Sequence, residues 1–149
     1  MATDNYKHVI KEVVKFHEVD LLGVCNNAVY FNYFEDARLD YTIDLKKKYD
    51  LKELLEGDSF FIMVHNDCDY IEPALLHDEL NVYTRVNFIG TTSFGFQHIV
   101  EKAATKKIIA RGGGVVVHIN KSTKQPVPLP EEFHRAVKDF DPEVEFVAK

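Results

Sequence analysis

From about Ala28 to about Lys47 the chain carries an aromatic stripe that few folds can accommodate. Tyr30, Phe34, Ala37 and Tyr41 recur at helical spacing, and Val29, Tyr33 and Ile43 widen the apolar face. Polar residues cluster at Asn32, Glu35, Asp36 and Asp40. A helix this aromatic needs cover over most of its circumference, most simply from a sheet that curls around it. Asn26 or Asn27 suits the N-cap, because its side-chain oxygen can accept from a first-turn amide. Lys46, Lys47 and Lys48 stand where a helix C-terminus favours positive charge.

The flanking sequence supplies such a sheet. His8 to Phe16 is rich in β-branched and aromatic residues and predicts a strand. After a short helix expected near Leu51 to Glu56, Ser59 to Ile71 predicts a second strand, broken by Pro73. Along Glu79 to Ile89, Leu80, Val82, Thr84, Val86 and Phe88 face one way, and Glu79, Asn81, Arg85 and Asn87 the other. Thr92 to Glu101 and Lys107 to Ile119 complete an expected antiparallel meander. Pro126, Pro128 and Pro130 give an extended segment ahead of a helix from roughly Glu131 to Phe140. The expectation is α+β: a single domain over residues 1–149, one central helix and a curved antiparallel sheet of about five strands.

Composition narrows the function classes. At 46% hydrophobic and 28% charged residues, the chain matches ordinary globular proteins. No apolar run approaches the ~20 residues of a membrane span, and residues Met1 to Lys7 lack a signal-peptide pattern, so a cytoplasmic location with no membrane partner is expected. A net charge of −6 argues against nucleic acid as a partner. Cys25 and Cys68 lack metal-type spacing, and nothing in the chain calls for a disulfide.

The chemistry concentrates in Val19 to Phe31. Asp20, between apolar Val19, Leu21 and Leu22, leads through a turn at Gly23 to the start of the aromatic helix. Desolvation would make this carboxylate more basic, and free helix amides can hold a developing oxyanion. The plainer alternative is a turn aspartate bonding the amides near Gly23. Asn27 could orient water or a carbonyl, or cap the helix; Tyr30 could donate a phenolic hydrogen bond, or pack in the core. Cys25 at a helix start is a candidate nucleophile, although a small buried cysteine is the commoner case. Glu35 and Arg38, three apart on a helix, are expected to pair structurally. His65, Asp67 and Asp69 alternate onto one strand face and on paper could bind a metal, with no recognisable fourth ligand, so no metal or other cofactor is expected. Gly112, Gly113 and Gly114 lack the Lys-Ser/Thr of a phosphate loop and instead suggest a bulge or a close approach to helix or ligand.

The same residues resemble the 4-hydroxybenzoyl-CoA thioesterase family of hotdog-fold proteins. Asp20, Gly23 and Tyr30 match its aspartate, glycine and tyrosine pattern, and Glu35 and Arg38 match a Glu-x-x-Arg pair on its helix. Asp69-Tyr70-Ile71-Glu72-Pro73-Ala74, Thr91 to Phe94 and Pro126 to Pro130 match later landmarks, so the likeness runs from roughly Lys7 to Phe140. The resemblance implies a hotdog acyl-CoA thioesterase, with Asp20 as nucleophile or general base; Asn27 and Tyr30 complete the expected catalytic set by their hydrogen-bonding capacity. It implies a homodimer or homotetramer, and Lys102, Lys106, Lys107, Arg111 or Lys121 as candidate partners for CoA phosphates. Asn27 stands where several relatives carry histidine, and the Asn and His that plant acyl-carrier-protein thioesterases add to the loop are replaced by Leu22 and Val24. Alternatives are a non-catalytic acyl-CoA binding or regulatory hotdog domain, an acyl-carrier-protein thioesterase, or a hydratase of the same fold.

Overall fold

The computed structural model describes residues 2–52 and 54–147. In chain order these form β1 (His8–Val13), a 3-10 turn (Phe16–Glu18), α1 (Val29–Lys48), β2 (Ser59–Tyr70), β3 (Glu79–Ile89), β4 (Ser93–Lys102), β5 (Ile108–Asn120), α2 (Glu131–Phe140) and β6 (Glu145–Phe146). The sheet runs β1-β3-β4-β5-β2, with antiparallel neighbours, and β6 adds a short parallel pairing to β3. A long central helix on a curved antiparallel sheet is the hotdog arrangement.

Only β3, β4 and β5 form the expected meander. β2 crosses to the far side of β5 because the connection after it does not turn back. Residues 71–78 instead hydrogen-bond the chain ahead of α1: the Cys25 amide donates to the Ala74 carbonyl at 2.8 Å, and the Val14 amide to the Asp78 carbonyl at 3.0 Å. β1 stops at Val13, short of Phe16, because the chain then enters the 3-10 turn. The helix expected near Leu51–Glu56 does not form among the described residues; position 53 lies outside them. Asp50 and Leu55 have φ of 53° and 62°, left-handed conformations that interrupt a helix, while Leu51 and Leu54 plug the core.

Helix α1 buries Tyr30, Tyr33, Phe34, Ala37, Arg38, Tyr41 and Leu45. Its far side is open: Asn32, Glu35, Asp36 and Asp40 are exposed, and so is Ile43, which sequence spacing assigns to the buried stripe. The cover is therefore one-sided within a single chain. Alternation along β3 holds to Val86, then a bulge against β4 between Val86 and Phe88 shifts the pattern and buries Ile89 instead of Phe88.

Two apolar clusters lie beneath α1, one around Tyr30, Tyr33 and Phe34 and one around Tyr41 and Leu45. A polar row crosses the sheet, with His8 opposite Thr84 and Thr84 opposite His98. His98 Nδ1 lies 2.9 Å from Thr84 Oγ1, and its ring stacks on Phe34 with centroids 4.4 Å apart. Burial, and secondarily the Arg38 charge, push its pKa down to about 3, so the ring stays neutral in the core. Gly112 permits this packing: a Cβ there would meet Phe34 Cε2 at 2.4 Å and the Asp67 carbonyl oxygen at 2.6 Å. Close approach to the central helix therefore accounts for Gly112, and the bulge on this strand pair lies in β2, between Met63 and His65.

Candidate active site

The chain approaches α1 through a small closed loop. A bridge between Val19 and Cys25 closes its base, and the Asp20 amide donates to the Val24 carbonyl at 3.0 Å. Gly23 takes φ of 76°, which suits a residue without Cβ, and donates its amide to the Asp20 carbonyl at 3.0 Å. Asp20 Oδ1 accepts from the Leu22 amide at 2.8 Å and, at a longer 3.4 Å, from the Val24 amide. This is the turn geometry of an aspartate bonding its own backbone. It occupies Oδ1 and leaves Oδ2 without a hydrogen bond among the described residues.

The expected desolvation of Asp20 is not present in one chain. The turn directs its apolar residues outward: Leu21 is 105% and Leu22 84% exposed, and Asp20 itself is exposed. Both readings of Asp20 thus keep their basis, since the residue bonds the turn and still presents one free carboxylate oxygen.

Asn26, rather than Asn27, organises the start of the helix. Its Oδ1 accepts from the Ala28 amide at 3.0 Å, and its carbonyl accepts from the Val29 amide at 2.9 Å. The Phe31 amide donates to the Ala28 carbonyl at 3.2 Å. Asn27 is exposed and accepts the Tyr70 hydroxyl on its carbonyl at 2.8 Å. Tyr30 is buried, accepts the Ala74 amide on its hydroxyl at 3.3 Å, and meets the Tyr70 ring edge-on at 5.1 Å. Burial pushes the Tyr30 phenol up to about 12, so it remains a protonated donor at neutral pH. The structure brings Asn27 and Tyr30 together with Val24, Cys25, Tyr70 and Ile71 around a cleft of about 200 Å³; Asp20 stands outside that lining, at the first position of the loop's turn, with Leu21 and Leu22 at the tip. A larger groove of about 890 Å³ runs along α2 and β6 and includes none of these residues.

Other sequence candidates are less favourably placed. Cys25 is buried, and desolvation pushes its thiol up, the opposite of an activated nucleophile. Cys25 and Cys68 are both free thiols. Glu35 and Arg38 do not form the expected ion pair among the described residues; buried Arg38 instead donates to Asn66 Oδ1 at 3.4 Å. His65 pairs with Asp67 at 2.9 Å, and Asp69 does not join them as a ligand cluster. His8, Asp40 and Asp44 do converge, but His8 Nε2 is already 2.7 Å from Asp40 Oδ2. Lys107 and Lys102 are tied to Glu72 at 2.6 and 3.6 Å, which leaves Lys106, Arg111 and Lys121 free of ion pairs among the described residues. Sequence reasoning missed Glu18 and Tyr70 as contacts of the loop and helix start; Tyr70 stood only within the Asp69 to Ala74 landmark, and nothing in the sequence marked Glu18.

No helix among the described residues is long and apolar enough to cross a membrane. The profile of the thioesterase-like superfamily matches residues 14–137. The Bacillus subtilis (strain 168) protein YsmA is 25% identical over 122 residues, 82% of this chain and 79% of its own length. A thioesterase from Thermus thermophilus, solved with coenzyme A and Zn, is 27% identical, with a TM-score of 0.75 over 93% of this chain and 98% of that one. A thioesterase-superfamily protein from Jannaschia sp. CCS1 shares the fold, with a TM-score of 0.82 at 20% identity over 94% of this chain and 86% of that one. Because the profile takes in the Asp20 loop, all of α1 and strands β2 to β5, the chain belongs to the thioesterase-like superfamily.

Proposed function

We propose that this protein hydrolyses an acyl-CoA thioester to the free acid and CoA. Family membership supports thioester hydrolysis in general. The observation that carries the finer reading is Asp20, held through Oδ1 by the loop amides with Oδ2 unengaged, one short loop ahead of the α1 N-terminus. The Ala28, Val29 and Phe31 amides are already bonded, so the amides proposed to hold the oxyanion are those of Asn27 and Tyr30.

Asp20 attacks the thioester carbon, or removes a proton from the water that does so. The carbonyl π electrons move onto oxygen, and the helix amides stabilise that charge. Collapse of the tetrahedral species breaks the C–S bond, and CoA leaves as a thiolate that takes up a proton. If Asp20 is the nucleophile, water then hydrolyses the resulting anhydride. The Asn27 side chain and the Tyr30 hydroxyl orient the carbonyl or water. The coenzyme A bound to the Thermus thermophilus relative supports CoA as the leaving group.

The active form is a homodimer or homotetramer. Leu21 and Leu22, next to Asp20 in the chain, and Phe16, 81% exposed, are bare apolar side chains that a second copy would cover, desolvating the carboxylate. β2 also ends the sheet with an edge that is unpaired among the described residues. Thiol release from an acyl-CoA panel, with wild type beside Asp20→Asn, tests the chemistry; light scattering tests the assembly, and a monomer at assay concentration would contradict this site arrangement.

A further inference from the structure

The loop that carries Asp20 has little side-chain packing to hold it. Leu21, Leu22 and Phe16 all point to solvent. Backbone bonds tie the loop's Gly23–Cys25 side to residues 74–76, among them the Leu76 amide to the Gly23 carbonyl at 3.3 Å and a Val24–Leu75 bridge, and its carboxylate link to α1 is made by Glu18. The Glu18 carbonyl accepts the Asn26 amide at 2.8 Å, joining the two ends of the loop. Glu18 Oε1 accepts the Tyr33 hydroxyl at 2.7 Å and the Lys15 amide at 2.9 Å.

Tyr33 is a firm anchor. It is 1% exposed, lies one helical turn beyond Tyr30, and packs against that ring at 6.1 Å. Its oxygen also sits 3.8 Å from Cys25 Sγ, at the other side of the loop base. Burial and the Glu18 carboxylate both hold the phenol well above its ordinary pKa, so it donates as a neutral hydroxyl. A charged acceptor strengthens such a bond relative to a neutral pair.

We infer that Glu18 is a positioning residue: its carboxylate bond to buried Tyr33 fixes the Asp20 loop against the N-terminal turn of α1. Glu18 lies two residues before Asp20 and does not itself reach the reacting atoms. The assignment rests on the proposed hydrolase reading, in which Asp20 and the Asn27 and Tyr30 amides must act on one carbonyl. A small displacement of a catalytic group is enough to cost up to roughly a hundredfold in rate.

The test compares wild type with Tyr33→Phe, Glu18→Ala, Glu18→Gln and the Tyr33→Phe/Glu18→Ala double variant. Thiol release and hydrogen exchange at the Leu22 and Val24 amides are measured on each. The expected result is a kcat loss of roughly tenfold or more in Tyr33→Phe and Glu18→Ala, with KM within about threefold. The double variant should be no worse than the worse single one, because both break one bond. Glu18→Gln should recover part of the rate, since its amide oxygen still accepts from Tyr33. The Leu22 and Val24 amides should exchange faster in the two bond-breaking variants, while core amides of β3 and β4 stay protected. Exchange does not depend on turnover. An inactive wild type with these exchange changes would refute the hydrolase reading and retain the strut. Unchanged exchange, or kcat within twofold of wild type in Tyr33→Phe, would overturn the inference.

Discussion

Replacing Gly112 with alanine tests how α1 is seated on the sheet. The new methyl would fall 2.4 and 2.7 Å from two carbons of the Phe34 ring and 2.6 Å from the Asp67 carbonyl oxygen. The ring cannot simply turn aside, because it is stacked on His98 at an interplanar angle of 6°. The Asp67 oxygen belongs to the backbone of β2, so relief there requires β2 and β5 to separate locally. Overpacking of this kind costs typically ~1–3 kcal/mol, and contact with both a fixed ring and backbone places Gly112→Ala near the upper end, about 3 kcal/mol. For a chain of this size that lowers Tm by roughly 6–12 °C.

Equilibrium urea unfolding gives the free energy directly, with an unchanged m-value showing that the denatured state is the same. Adding Phe34→Leu should recover about 1 kcal/mol relative to the sum of the single changes, because only the ring contacts are relieved. A Gly112→Ala protein within ~0.5 kcal/mol of wild type would refute this packing account.

Two pH effects of opposite sign follow from half-buried Glu12 and buried His98. Burial first, and then the hydrogen bond and charge of Asp36, raise Glu12 from about 4.5 to about 7. The native state holds that proton more tightly than the unfolded chain, so its stabilising contribution is complete below pH 4.5 and lost as pH rises through 7. Glu12→Gln should therefore be more stable than wild type at pH 8, by about 1 kcal/mol after allowance for solvent screening, and should show no such gain at pH 4; equal effects at both pH values would contradict the assignment. His98 is displaced downward, to about 3, so its contribution is present above the unfolded value of 6.5 and lost as pH falls. Its ring resonances should remain those of neutral imidazole down to pH ~4, and a titration midpoint near 6 would show that the site is wetter than the packing implies.

The parts of this fold visible in the sequence are those governed by local periodicity. Tyr30, Phe34, Ala37 and Tyr41 marked the buried face of α1, and alternation placed Leu80, Val82, Thr84 and Val86 toward the core. Periodicity could not show the bulge that buries Ile89, or the left-handed residues at Asp50 and Leu55 that prevent a helix. Nor could it show that β2 would leave the meander, since that follows from hydrogen bonds between residues 71–78 and a loop some fifty residues earlier.

The same distinction governs the site. Asp20, Asn27 and Tyr30 lie in one short motif and could be singled out together. Glu18 and Tyr33 are fifteen residues apart, and their bond exists only once the loop has closed. The solvent exposure of Leu21 and Leu22 was equally hidden, because an apolar residue in sequence gives no sign of whether its cover comes from its own chain or another.

The most direct measurement is thiol release from short, medium, long and aryl acyl-CoAs by wild type and Asp20→Asn at equal concentration. Wild type should turn over at least one acyl class, and kcat should fall by roughly a hundredfold or more in the variant, with the fold intact. Full turnover by Asp20→Asn would contradict the assignment of the chemistry to Asp20. Saturable acyl-CoA binding without thiol release by wild type would contradict the hydrolase reading and identify a binding domain.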